Sequence, residues 1–303
     1  MTDRADPTLY RFSPGWSDRP ADGSDGPVLV VALEGWVDAG LAASSAVTEL
    51  LSASTITDVA EFDPETLIDQ RARRPVARLV NGVTAELTWP SLRVQAGRDG
   101  TGATVYYLTG PEPDFRWRSF LEAVLNLVER LGVRMVVGLG AFPAPAPHTR
   151  PVRLASTVPP QSAGLAARIG FVQGTIEVPA GIQAALEMAL GEVGIPVIGL
   201  WARVPHYVAA IPFPEASAAL VDGLCAVTGL VLDSSTLHAA AEASRRQVDE
   251  LIAGNPEHGE MVRRLESSID SEEGNLFGLP EDDVPSGDEI AAELERFLRG
   301  EGP

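Results

Sequence analysis

The chain has 303 residues, of which 45% are hydrophobic, which makes it globular rather than disordered and long enough to bury a full core. Its net charge is −19 and all 23 of its basic residues are arginine. The absence of lysine excludes lysine-dependent phosphate loops and Schiff bases, and the acidic balance disfavours nucleic acid, whose binding rests on cations meeting phosphate.

The single cysteine, Cys225, excludes an internal disulfide and a cysteine-cluster metal site, and its apolar helical surroundings suggest a buried, inert thiol. No apolar run approaches the roughly 18 residues of a membrane-spanning helix. The start MTDRADPTLYRF lacks a signal-peptide core, so a cytoplasmic address is expected. The negative charge is uneven: residues 231–303 hold 18 acids against 6 arginines. That segment reads as a solvated helical appendage on a more neutral core.

In chain order, a polar lead over residues 1–26 precedes PVLVVAL, a buried strand. DAGLAASSAVTELLSAS then reads as a helix with Asp38 as its N-cap. ITDVAEF is strand-like, and between Val76 and Leu108 short β segments alternate with Asn-Gly and Gly-rich turns, the signature of a meander or hairpin. DFRWRSFLEAVLNLVERLG is an amphipathic helix that gathers Phe115, Phe120, Val124, Leu127 and Leu131 on one face. It runs into VRMVVGLGAF, apolar on both faces as central parallel strands are. A short strand near TIEV, the helix AGIQAALEMALGEVG, the strand IPVIGLWA and a helix from Pro214 to Val227 follow. This alternation, with glycine at strand exits, indicates an α/β protein with an open three-layer α/β/α sheet over residues 27–232.

Residues 233–303 form an acidic helical extension. TLHAAAEASRRQVDELIAG and PEHGEMVRRLESSIDSEE read as a helical hairpin that packs on a neighbouring subunit. The loop PEDDVPSGD reads as disordered, and EIAAELERFLRG as a last helix. His238 and His258 fall on the charged helices and read as surface residues.

Ligands in open α/β sheets collect at the carboxyl edge of the strands, and four segments fall there. LEGWVDAG brings Glu34, Trp36 and Asp38 into one turn. Glu34 or Asp38 can act as a base or accept hydrogen bonds from a ligand, while the structural alternative is a helix cap with a packed tryptophan. GAFPAPAPHTRPVRLAST presents His148, Thr149 and Arg150 on a loop stiffened by prolines. Arg150 can fork onto a carboxylate or phosphate, or pair with an internal acid such as Glu34 or Asp38. Glu177 opens the segment before a helix N-terminus, and His206 sits in RVPHYVAAIPFPEAS. The four histidines are scattered, and neither metal-ligand spacing nor a nucleophile elbow is present, so the sequence assigns no metal, no cofactor and no catalytic residue.

LEGWVDAGLAASSA, GLGAFPAPAPHTRPVRLASTV, EVPAGIQAAL and RVPHYVAAIPFPEAS, in that order, resemble the second-subunit family of proteasome assembly chaperones, in its actinobacterial branch. The resemblance implies a fold similar to purine nucleoside phosphorylases and hydrolases, self-association as a trimer, and action on a protein partner, with proteasome subunits among the candidates. Archaeal relatives dock through a C-terminal hydrophobic–Tyr–X ending, whereas this sequence ends RFLRGEGP. The leading expectation is therefore a non-enzymatic homo-oligomeric assembly protein. The alternative is a small-molecule binder or a hydrolase- or phosphorylase-like enzyme, with an anionic ligand at the carboxyl edge.

Overall fold

The run VLVVAL forms β2, the spine of the sheet, with Val28 and Val30 buried on one face and Leu29 and Val31 on the other. The structure, a computed structural model, describes residues 9–16, 26–35, 37–172 and 174–271. Trp36, the acidic loop PEDDVPSGD and the expected last helix lie outside these residues.

The elements follow in chain order. β1 (Tyr10–Phe12) and β2 (Val28–Glu34) lead to α1 (Ala42–Ser52), β3 (Thr57–Phe62) and the single turn α2 (Pro64–Leu67). Then come β4 (Val76–Val80), β5 (Val83–Thr88), β6 (Arg93–Arg98), β7 (Thr104–Pro111), α3 (Trp117–Arg130), β8 (Met135–Ala144) and β9 (Leu154–Thr157). The chain continues through α4 (Ala163–Ala166), α5 (Ile182–Glu192), β10 (Val197–Pro205), α6 (Pro214–Thr228), α7 (Ser235–Ala253) and α8 (Pro256–Ser271).

Eight strands form one sheet in the order β1-β3-β6-β7-β2-β8-β10-β9. Its centre, β7-β2-β8-β10, is parallel, and the outer strands are antiparallel. The parallel strands are sealed on both faces, as their continuous apolar sequences require. One face packs against α1, α6 and the apolar side of α7, where Leu237 and Val248 join the core. The other face packs against α3 and α5 through Phe120, Val124, Leu127, Ile182 and Leu186. This is the three-layer α/β/α architecture expected, with charged C-terminal helices added on one side.

Three local readings change. Phe115 does not join the buried face of α3 and is 51% exposed. Arg116 adopts a left-handed conformation (φ 56°) immediately before Trp117, so the helix starts after Phe115 and turns it outward. TIEV forms no strand: residues 174–180 are irregular and exposed, and no strand of the sheet pairs with them. Cys225 is only half-buried, and desolvation raises its thiol pKa, which keeps it in the unreactive protonated form.

The β4–β5 hairpin stands apart from the main sheet. It pairs only with itself, and every residue of both strands is exposed. Val76 is 69% exposed, Val83 67% and the adjacent Trp89 52%. A two-stranded ribbon with this much open apolar surface is only marginally stable alone.

Candidate functional site

The parallel register of β8 and β10 sets Ala144 beside Pro205, so the loops leaving these strands emerge together at the carboxyl edge. Asp38 bridges to Ala141 of β8. Gly40 donates its N–H to Ala209 O at 2.7 Å and accepts from Phe213 N at 2.9 Å. The segments around Asp38, His148 and His206 therefore converge at one end of the sheet.

Their side chains do different work. Asp38 caps α1: its Oδ1 accepts from Ala43 N at 2.7 Å, and its Oδ2 from Ser44 N at 3.0 Å and Ser44 Oγ at 2.7 Å. Both carboxylate oxygens are engaged at the start of the helix, which is the capping reading of Asp38. Glu34 is exposed and lines a separate open groove of about 860 Å³ with Arg73, Arg93 and Trp89 beside the hairpin. Glu177 lies exposed in the 174–181 segment. His206 is exposed, its ring edge-on to that of Tyr207.

The 148–150 loop meets the C-terminal helices. His148 is 3% exposed. Its backbone N–H donates to Tyr207 Oη at 2.8 Å, and its ring Nδ1 lies 2.7 Å from the same oxygen. That hydroxyl has a proton of its own to give to Nδ1, an arrangement in which Nε2–H donates to Asp249 Oδ1 of α7 at 3.0 Å. Burial pushes the Tyr207 phenol up to about 12, so it stays protonated at physiological pH.

Thr149 donates its hydroxyl to Glu266 of α8, and Arg245 of α7 donates to Thr149 O at 2.6 Å. Arg150 grips Asp270 with both prongs, Nε to Oδ1 at 3.0 Å and Nη2 to Oδ2 at 2.6 Å, and reaches Glu266 Oε1 at 3.3 Å. The bond to Asp270 raises the arginine pKa, and the same contact lowers that of Asp270. The internal acids that meet Arg150 are thus on α8, and neither Glu34 nor Asp38 is among them.

Helix α8 roofs a cavity of about 420 Å³ whose floor is the ends of β8 and β10. Sequence reasoning missed three of its residues, Arg153, Arg203 and Arg264. The signal for Arg203 was an arginine inside the otherwise apolar strand WARVP. Among the described residues, no group of three or more His, Cys, Asp and Glu side chains is placed to hold a metal ion, and no helix is long and apolar enough to cross a membrane.

The sequence profile of the PAC2 family matches residues 32–252. The chain belongs to the PAC2 family. A Corynebacterium glutamicum protein of unknown function is 32% identical, with a TM-score of 0.82, and the match covers 88% of this chain and 98% of that one. A Mycobacterium tuberculosis protein of unknown function is 33% identical with a TM-score of 0.81, over 87% and 91% of the two chains. A proteasome-assembly chaperone homologue from Mycobacterium tuberculosis is 39% identical with a TM-score of 0.71, over 78% of this chain and 99% of that one. No curated protein matches. This PAC2 protein thus resembles proteasome assembly chaperones in sequence and in fold.

Proposed function

We propose that this PAC2 protein is a non-enzymatic, homo-oligomeric assembly factor of the cytoplasm whose partner is a protein, with proteasome subunits as the first candidates. The observation that carries this reading is the β4–β5 hairpin, which exposes Val76, Leu79, Val80, Val83 and Leu87. An exposed apolar ribbon of this kind marks a contact surface in a stable soluble chain. Its similarity to a proteasome-assembly chaperone homologue supplies the partner class. In this reading the 27–232 core serves as the scaffold and the 233–303 extension as an acidic face for subunit contacts.

Two features support a binding role over catalysis. Both nitrogens of His148 are already hydrogen-bonded within the chain, to Tyr207 and Asp249. The phenol beside it stays protonated and is a weak nucleophile. Proton transfer at this site would first require breaking the contacts that hold α7 in place.

Native mass spectrometry of the full chain, alone and mixed with purified proteasome α subunits, tests the proposal. The expected spectra show a homo-oligomer, a trimer, and a further species of chain plus α subunit. Val76→Asp with Val83→Asp breaks the oligomer and leaves the far-ultraviolet circular dichroism unchanged. A monomer that ignores α subunits overturns the reading.

A further inference from the structure

The open groove of about 860 Å³ at the foot of the β4–β5 hairpin has apolar and cationic walls. Val76 and Trp89 line it from the hairpin side, both largely exposed, together with Leu51 of α1 and Ile56. Arg74 and Arg93 line the same groove, and Arg71 precedes them in the exposed loop that leads into β4. The guanidinium groups of these three arginines make no ion pair or hydrogen bond among the described residues. Arg73 differs, since it lies 3.6 Å from Asp114. Of the described lining residues, Glu34 alone is acidic. In a chain of net charge −19, three arginines beside an open apolar ribbon have found no internal carboxylate.

The turn between α7 and α8 carries the complementary pattern. Residues 250–260 hold Glu250, Glu257 and Glu260 and no arginine. All three glutamates are exposed, and their carboxylates make no ion pair among the described residues. Asp249, Glu266 and Asp270 are different, because the 148–150 loop engages them. Leu251, next to Glu250, is 66% exposed. An apolar side chain flanked by unpaired carboxylates thus stands on one surface, and apolar side chains flanked by unpaired guanidiniums on the other. No ion pair or hydrogen bond joins the two surfaces within the chain, among the described residues.

We infer that the α7–α8 turn of one copy docks in the hairpin groove of a second copy, with Leu251 against Val76 and Trp89 and the three glutamates facing Arg71, Arg74 and Arg93. The inference rests on the homo-oligomer proposed above and names the interface that builds it. Each copy carries both halves, so the contact is head-to-tail, and three such contacts in a ring close a trimer. Burial of Leu251, Val76 and Trp89 supplies the apolar centre of the contact, and the charges around it set its register and speed the encounter. The cover that the ribbon lacks in a single chain comes from its neighbour.

Size-exclusion chromatography with light scattering, run on the full-length protein over a dilution series at low salt, tests this interface. The parent is expected to be a trimer that dissociates on dilution. Arg71→Glu with Arg74→Glu moves the dissociation to a concentration at least about tenfold higher, because like charges across an interface repel. Glu257→Arg with Glu260→Arg does the same. All four substitutions in one chain restore the parent's behaviour, since both sides have then changed sign. Leu251→Asp weakens association by a similar factor. The five positions are exposed, and far-ultraviolet circular dichroism checks that each variant folds. If a charge reversal fails to fold, Leu251→Asp decides alone. A parent that is monomeric at every concentration removes the homo-oligomer reading and this interface with it. A parent oligomer unmoved by either charge reversal or by Leu251→Asp overturns this interface alone, as does a fourfold variant that stays dissociated.

Discussion

Tyr207 and Asp249 hold the ring of His148 from opposite sides, the hydroxyl 2.7 Å from Nδ1 and the carboxylate 3.0 Å from Nε2. The imidazole thereby couples the end of β10 to helix α7, and its own bond to Asp249 spans 101 residues of sequence. Because the ring is buried, each bond lost leaves a polar group without water. Tyr207→Phe removes the partner of both the ring Nδ1 and the backbone N–H of His148. A loss of about 1–3 kcal/mol in unfolding free energy is expected from stranding buried polar groups. Urea denaturation measures it. An unchanged midpoint would mean that the loop is held by its prolines alone.

The salt links further along the same loop differ in kind. Arg150 and Asp270 are largely solvated, and such pairs add little to global stability. They do determine where α8 sits. Asp270→Asn is expected to leave the main unfolding transition in place and to speed amide hydrogen exchange in α8 several-fold, with no change in α6. High salt produces the same selective loosening in the parent protein by screening the pair. Uniform exchange across both helices after the substitution would refute this local role.

Much of the fold could be read from the sequence because its signals are local. VLVVAL and VRMVVGLGAF are apolar on both faces, which only a covered parallel strand satisfies, and the helices between them repeat their apolar residues at helical spacing. Asp38 as a cap was legible for the same reason, since Ala43 and Ser44 are its near neighbours. The partners of Arg150 were not. Glu266 and Asp270 lie 116 and 120 residues away, and only the packing of α7 and α8 brings them near. Glu34 lies as far from Arg150 along the chain as Glu266 does, so it is equally consistent with the sequence, because charge alone carries no distance. Arg203 was overlooked for a related reason, since strand alternation says that its side chain leaves one face but not that the face is hollow.

Gly40 tests how tightly the Asp38 turn is locked. Its φ of 65° suits glycine, and an added Cβ would lie 2.8 Å from Phe213 Cβ. Gly40→Ala therefore meets both left-handed strain and a clash with a fully buried ring. The expected cost is about 1–3 kcal/mol, read as a lower midpoint in thermal or urea unfolding. Gly82, at the tip of the hairpin, also has a positive φ (81°) but meets no neighbour. Gly82→Ala is expected to cost less, and an equal cost at both sites would show that crowding at Phe213 is irrelevant.

Glu187 supplies the pH dependence. Its carboxylate on α5 is buried under β9 and β10, where Thr157 Oγ1 donates to Oε1 at 3.0 Å and Trp201 Nε1 donates to that hydroxyl at 2.9 Å. Burial pushes its pKa up to about 7, although the hydrogen bonds from Thr157 and Gln183 pull the other way. Unfolded, the group returns to an ordinary value of 4.5. Between these values the folded chain holds a proton that the unfolded chain has released. Stability attributable to Glu187 is thus full below pH 4.5, falls as pH rises through 7, and levels off above it. The shift corresponds to roughly 3 kcal/mol at most. Glu187→Gln keeps the shape and removes the charge, so it is expected to be more stable than the parent at pH 8 and nearly equal at pH 5. Urea unfolding of both proteins at the two pH values decides the matter: parallel pH profiles would show that Glu187 stays ionised in the folded chain.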